Sequence, residues 1–353
     1  MKSIASLLSI IALGLGLVGC PGSGGGSGGD GPPAFAVSTT AAGFGVVGNA
    51  GYSSTLSATG GTPPYITWTD VASELLPLGL VLAPLTGVIS GTPTATTANA
   101  FTATFQVTDS VGRTTSGPVT LRIRPRTDRA SVDVTGSAVP GSSSTEPSNS
   151  RTNGRFIAFS SSAPNLVPGV TGNQVYVHDR QTGQATLISQ NDLGAAASAG
   201  ASTAPSISAD GRYVAFVSTA TNLVTGVSGQ QIYLRDGIGG TTTLISQNDL
   251  GVVASAGAST APSISADGRY VAFVSTATNL VTGVSGQQVY RHDAQPVPNG
   301  QNVVCSLDSL GAPGVGGSSA PSIANDGSFV AFSSTAPLIS PAAASDVYVR
   351  AVP

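Results

Sequence analysis

The stretch Pro205-Ser206-Ile207-Ser208-Ala209-Asp210-Gly211-Arg212-Tyr213-Val214-Ala215-Phe216-Val217-Ser218 decides the fold, because it returns letter for letter from Pro262 to Ser275. The identity runs wider. Leu187–Tyr233 and Leu244–Tyr290 differ only at Ala195/Val252, Ala196/Val253 and Ile232/Val289. Looser versions flank the pair, so Pro147, Pro205, Pro262 and Pro321 each open one unit of similar length. A unit of this size cannot bury an apolar face alone. Its neighbours must supply the other side, by stacking in a line or closing into a ring.

Each unit holds four strand candidates, which in the second copy are Ala204–Ser208, Tyr213–Ser218, Gln231–Arg235 and Thr241–Ser246. Asp210-Gly211, Asp267-Gly268 and Asp326-Gly327, with Asn153-Gly154 in the first copy, are hairpin signals, since both residue types tolerate positive φ. Tyr213-Val214-Ala215-Phe216-Val217 is apolar on both faces and must be covered from two sides. Pro-Ser-Ile-Ser-Ala-Asp-Gly-Arg-Tyr-Val-Ala-Phe-Val-Ser, followed by Gln231-Ile232-Tyr233-Leu234-Arg235-Asp236, resembles the TolB-type β-propeller repeat, a relative of the WD-repeat class. That resemblance implies four-stranded blades and a scaffolding role. The last unit carries its third strand at Val347-Tyr348-Val349-Arg350, while Ala130-Ser131-Val132-Asp133-Val134 has the register of a fourth strand ahead of the first unit. The expectation is a propeller of four blades closed by this N-terminal strand, which would leave no open edge.

Ahead of the repeats, residues 34–125 read as short strands separated by turn signals such as Gly60-Gly61-Thr62-Pro63-Pro64-Tyr65 and Asp109-Ser110-Val111-Gly112. Phe101–Thr108 alternates cleanly, with Phe101, Ala103, Phe105 and Val107 on one face, as in a half-buried strand. Gly60–Tyr65, Leu76–Leu80, Thr86–Thr94 and Val107–Ser110 together resemble the immunoglobulin-like, cadherin-related modules of bacterial surface proteins. A spacer or adhesive module is what that implies. The fold expected is therefore all-β, an immunoglobulin-like sandwich over 34–125 followed by TolB-like β-propeller repeats over 126–353.

The N-terminus has Lys2, an apolar run from Leu7 to Val18 and then Leu17-Val18-Gly19-Cys20, the layout of a secretory signal peptide over residues 1–20. Leu-Val-Gly-Cys resembles the bacterial lipobox, which implies lipidation of Cys20 and a membrane partner through the lipid. Residues 21–33 are a Gly/Ser-rich tether that cannot form a core. With Cys20 lipidated, Cys305 is the only other cysteine, so no intramolecular disulfide is expected. The expected address is the bacterial cell envelope, lipid-anchored at the outer membrane.

Removing Lys2 from the 14 basic residues leaves 13 arginines against 17 acids, a mild negative balance that excludes broad electrostatic binding to nucleic acid. Arg122, Arg124, Arg126 and Arg129 gather at the domain junction, where a solvated strand face or an interdomain contact is the simplest reading and an anionic partner the alternative. His178 and His292 share one repeat position with Arg235 and Arg350, and interchange with Arg points to an exposed strand end. Cys305 aligns with Ile188 and Ile245, as a small buried apolar residue would. Asp70, Glu74 and Asp109 form no dense acidic cluster, and Asp109 reads as a turn residue. No Ser/His/Asp set, paired glutamates, metal spacing or phosphate loop emerges, so no catalytic, cofactor or metal residue is assigned.

The loops after Asn165, Asn222 and Asn279 are rich in Gly, Ser, Thr and Gln and offer matching polar rims to a protein or glycan partner. These readings add up to a non-catalytic, envelope-anchored binding or scaffold lipoprotein. A propeller enzyme acting on envelope polysaccharide or peptide and a structural adhesive spacer stay open as alternatives.

Overall fold

A computed structural model describes residues 34–71, 76–97, 100–132, 137, 143–152, 154–164, 166–254, 257–295, 300–339 and 345–352. The described chain is all-β. The first folded unit has two three-stranded sheets. One pairs Tyr52–Thr55 and Leu80–Ala83 with Val88–Gly91, and the other pairs Thr67–Asp70 and Thr114–Leu121 with Phe101–Thr108. The alternation in Phe101–Thr108 places Ala103, Phe105 and Val107 fully inside, where they meet Trp68, Ile89 and Leu121 in one core between the sheets.

Each repeat forms its own antiparallel sheet. The first runs through Ser144–Asn149, Phe156–Ser161, Gln174–Asp179 and Gln184–Leu187, and the second through Ser202–Ile207, Tyr213–Ser218, Gln231–Asp236 and Thr241–Leu244. The third comprises Ser259–Ile264, Tyr270–Ser275, Gln288–Asp293 and Gln301–Val304, and the fourth Ser318–Ile323, Phe329–Ser334 and Asp346–Ala351. Strands pair in chain order within every sheet.

The sheets stack face to face, as the doubly apolar second strand demands. Ala215, Val217, Ile232 and Ile245 of the second sheet share a core with Ile264, Val271, Phe273 and Tyr290 of the third. The same pattern joins the first sheet to the second and the third to the fourth. A serine of each first strand keeps the stacking register. The amides of Ile207, Ile264 and Ile323 donate to Ser148, Ser206 and Ser263 Oγ of the preceding sheet, at 3.3, 3.1 and 3.1 Å.

Every first strand carries a bulge at the residue before its proline. Glu146, Ala204, Ala261 and Ala320 take φ between 49 and 55°, and the pairing register shifts there. The Asp-Gly turns differ from the tight hairpin expected, because only the glycine has positive φ. Asp210 works instead as an acceptor, taking the Arg212 amide on Oδ1 at 3.0 Å, while the Gly211 amide closes the turn onto Ser208 O at 3.1 Å.

These turn tips gather round a common centre. Ala209 N donates to Ala266 O and Ala266 N to Asn325 O, at 2.9 and 2.8 Å, while Arg151 Nη1 of the first sheet reaches Asn325 Oδ1 of the fourth at 2.8 Å. The expected strand closure is not among the described pairings, and among the described residues the fourth sheet has three strands. Asp133 and Val134 lie outside the described residues. Ala130 packs with Phe159, Leu166 and Tyr176 on the first sheet, the side on which a preceding blade would lie, rather than on the fourth. The outer face of the fourth sheet stays open, with Val347 and Val349 at 76% and 67% exposure.

Candidate functional site

The third strand of each sheet ends in the residues that vary most between otherwise identical copies. Tyr233 is followed by Leu234-Arg235, and its counterpart Tyr290 by Arg291-His292. Strand alternation sends residues 234 and 291 toward the next sheet and residues 235 and 292 toward the preceding one. Between the second and third sheets, Leu234 and His292 therefore meet across a cleft of about 750 Å³. That volume is in the range of small-molecule sites.

Thr241 and Thr243 of the second sheet's fourth strand line one wall, with Gln247 beside them. Gly268, Ala294 and Gln295 of the third sheet line the other. His292 closes the floor. It is 1% exposed, and its Nδ1 lies 3.1 Å from Asn302 Oδ1, while Asn302 Nδ2 donates to Gln247 O at 2.6 Å. Burial lowers the His292 pKa, so the ring is neutral at physiological pH.

Most of the charged groups around the cleft are tied to one another. Arg212 makes a two-pronged contact with Asp236, Nε to Oδ1 at 2.9 Å and Nη2 to Oδ2 at 2.6 Å, and the guanidinium holds Asp236 at about 2. Arg269 grips Asp293 in the same way, at 2.8 and 2.7 Å. Asp267 Oδ1 accepts from Ser265 Oγ and the Arg269 amide at 2.6 and 3.0 Å. A site so compensated offers hydroxyls, amides and a neutral ring to a ligand.

The residues singled out in sequence take other places. His178 is fully buried and His292 nearly so, contrary to the exposed strand end expected of them, because the loop or linker ahead of each sheet covers that side of the third strand. His178 lies beneath the domain junction. There Arg124 Nε donates to Arg180 O at 2.7 Å, and Asp128 pairs with both Arg124 and Arg180 at 3.4 and 3.3 Å. Gln181 Nε2 adds a bond to Ala42 O at 2.9 Å, and Arg180 lies over the Phe44 ring at 4.9 Å. Arg122 packs at Gly183 of the first sheet, whereas Arg126 turns back onto Val47 O and Gly48 O. The arginine group is thus largely an interdomain joint.

Cys305 is fully buried among Ala272, Val289 and Ile323, and burial pushes its thiol up to about 12. Asp109 caps its own turn, accepting from the amides of Thr62, Val111 and Arg113. Asn222 and Asn279 staple the loops beside them, donating to Ala196 O and Val253 O at 2.8 Å each. Cys20, Glu74 and Asn165 lie outside the described residues. Among the described residues no group of three or more His, Cys, Asp and Glu side chains is placed to hold a metal, and no helix is long and apolar enough to cross a membrane.

Residues 33–124 match the family model described as "Putative Ig domain", so the first folded unit is an immunoglobulin-like domain. No curated protein matches the chain. Among solved structures, the "putative TolB" of Agrobacterium tumefaciens is 16% identical with a TM-score of 0.30, the match covering 83% of this chain and 90% of that one. A structure from a study of two prolyl endopeptidases is 13% identical with a TM-score of 0.37, over 60% of this chain and 28% of that one. The protocadherin γB4 extracellular domain is 13% identical with a TM-score of 0.21, over 77% of this chain and 34% of that one. The chain spans little more than a quarter of the endopeptidase it resembles.

Proposed function

We propose that this chain is a non-catalytic binding or scaffold lipoprotein of the bacterial envelope, with an immunoglobulin-like spacer holding a propeller-like stack toward a protein or glycan partner. One observation carries the reading. At the cleft between the second and third sheets Asp236 and Asp293 are locked in pairs with Arg212 and Arg269, and Asp267 is spent on the Ser265 hydroxyl and the Arg269 amide, which suits holding a ligand better than moving a proton. The joint through Arg124, Asp128 and Arg180 supports the spacer role, because it fixes the stack to the immunoglobulin-like domain. The Leu17–Cys20 lipobox and the tether behind it support the anchored address.

Two measurements on the full chain test this. Cys20→Ser is expected to move the protein from the membrane fraction to the soluble fraction, and unchanged fractionation would sink the anchor. Cross-linking in intact envelopes should capture a discrete partner. Turnover of an envelope polysaccharide or peptide, abolished by a single Asp→Asn change in the stack, would overturn the non-catalytic reading.

A further inference from the structure

The three interfaces between consecutive sheets share one register but are filled differently. Between the first and second sheets, Arg235 is 5% exposed and donates from Nη1 to Asn191 O and Thr242 Oγ1, at 3.1 and 2.9 Å. Between the third and fourth, Arg291 lies over the Tyr270 ring at 4.5 Å and donates from Nη1 to Gly327 O at 2.9 Å. Between the second and third, the Arg235 position is His292 and the Arg291 position is Leu234. Neither can bridge the gap. Gly268 and Ala294 beside this cleft hold the places that Gly327 and Val352 hold around Arg291, so the open volume is the space an arginine fills one interface further on.

We propose that this unplugged cleft binds a neutral oligosaccharide, an assignment that rests on the binding-protein reading above and names its ligand. An anionic ligand would find Arg212 and Arg269 already engaged by Asp236 and Asp293, and a cationic one would find Asp267 alone, its Oδ1 already accepting from Ser265 Oγ and the Arg269 amide, so either would lose hydration for little counter-charge. A wholly apolar ligand would strand the hydroxyls of Thr241 and Thr243 and the amide of Gln295. A sugar matches both sides of the cleft. Its hydroxyls donate and accept as threonine and glutamine require, and its C–H face meets Leu234 and Ala294.

The repeats supply their own test. Leu234→Arg should reproduce the Arg291 arrangement and His292→Arg the Arg235 arrangement, so both variants are expected to fold, with circular dichroism and melting like the parent. Binding of labelled cellotetraose, chitotetraose, maltotetraose and mannotetraose to the full chain would be measured by fluorescence anisotropy, with tetragalacturonate as the charged control. At least one neutral probe should bind, and each variant should weaken it by about tenfold or more. Arg291→Leu combined with Arg350→His gives the neighbouring interface the Leu234 and His292 pair and should raise the amount bound at saturation, a gain that misfolding cannot mimic. Absence of neutral-sugar binding, preference for tetragalacturonate, or parent-like affinity in both arginine variants overturns the assignment. If partner capture from envelopes persists in any of these cases, only the cleft assignment falls; if capture is lost as well, the binding-protein reading falls with it.

Discussion

His178 shows what one residue experiences when a repeat position meets a different neighbour. Its counterparts reach partners, Arg235 through Asn191 and Thr242, and His292 through Asn302, but neither ring nitrogen of His178 has a hydrogen-bond partner. Burial, and then the nearby Arg124 charge, bring its pKa down to about 4, against the opposing pull of Asp128 and Asp179. Arg122 also faces it and adds to the lowering. The unfolded chain therefore binds a proton near pH 6.5 that the folded chain refuses until about pH 4. Stability contributed by the neutral ring is complete above the higher value and is lost as pH falls through the window between the two. On going from pH 7.5 to 5 the loss should be on the order of 2 kcal/mol, with His292 adding in the same direction. His178→Leu should flatten that slope in urea unfolding without lowering stability at pH 7.5. An undiminished slope would show that His178 is not the group responsible.

At the scale of an element, the second strand and the turn before it carry the stacking. The turn glycine has a positive φ and also lies against the aromatic ring that opens the previous sheet's second strand. Gly268, with φ of 79°, is in this position, and a Cβ there would run into the Tyr213 ring. Gly226 has nearly the same φ, 80°, but faces open space. Alanine at 226 should therefore cost about 1 kcal/mol of backbone strain. Alanine at 268 should cost about 3 kcal/mol, since the crowding adds to the strain. Denaturant unfolding of the two variants separates the contributions, and equal losses would mean that the ring contact between sheets is not tight. Asp267 beside this glycine was legible as a turn residue, but its mode of action was not. It accepts the Arg269 amide while keeping negative φ, and nothing in the dipeptide distinguishes that turn from the tighter hairpin.

For the whole molecule, the repeat made most of the fold legible: the four units, the strands within them and their stacking all follow from two near-identical copies and an apolar second strand. The burial of Cys305 was legible too, because the residues aligned with it are Ile188 and Ile245. The candidate cleft was not. It arises from side chains that the two copies do not share, Leu234 against Arg291 and Arg235 against His292, and whether such a difference opens or fills space depends on the neighbouring sheet. Ring closure was legible only as a register, since Ala130 packs on the side of the first sheet where a preceding blade belongs, while among the described residues the fourth sheet has three strands. This asymmetry gives the fourth sheet an outer face chemically like the three that are covered. Ile232, fully buried, and Val347, at 76% exposure, hold the same repeat position. Ile232→Thr removes apolar contacts and buries a hydroxyl, and should cost about 3 kcal/mol. Val347→Thr should change stability by less than about 0.5 kcal/mol. Thermal unfolding at two protein concentrations makes the comparison decisive. A loss at Val347 that matches Ile232 at high concentration and shrinks on dilution would mean that a second chain covers the open face. A loss of the same size at both concentrations would mean that the chain covers it itself.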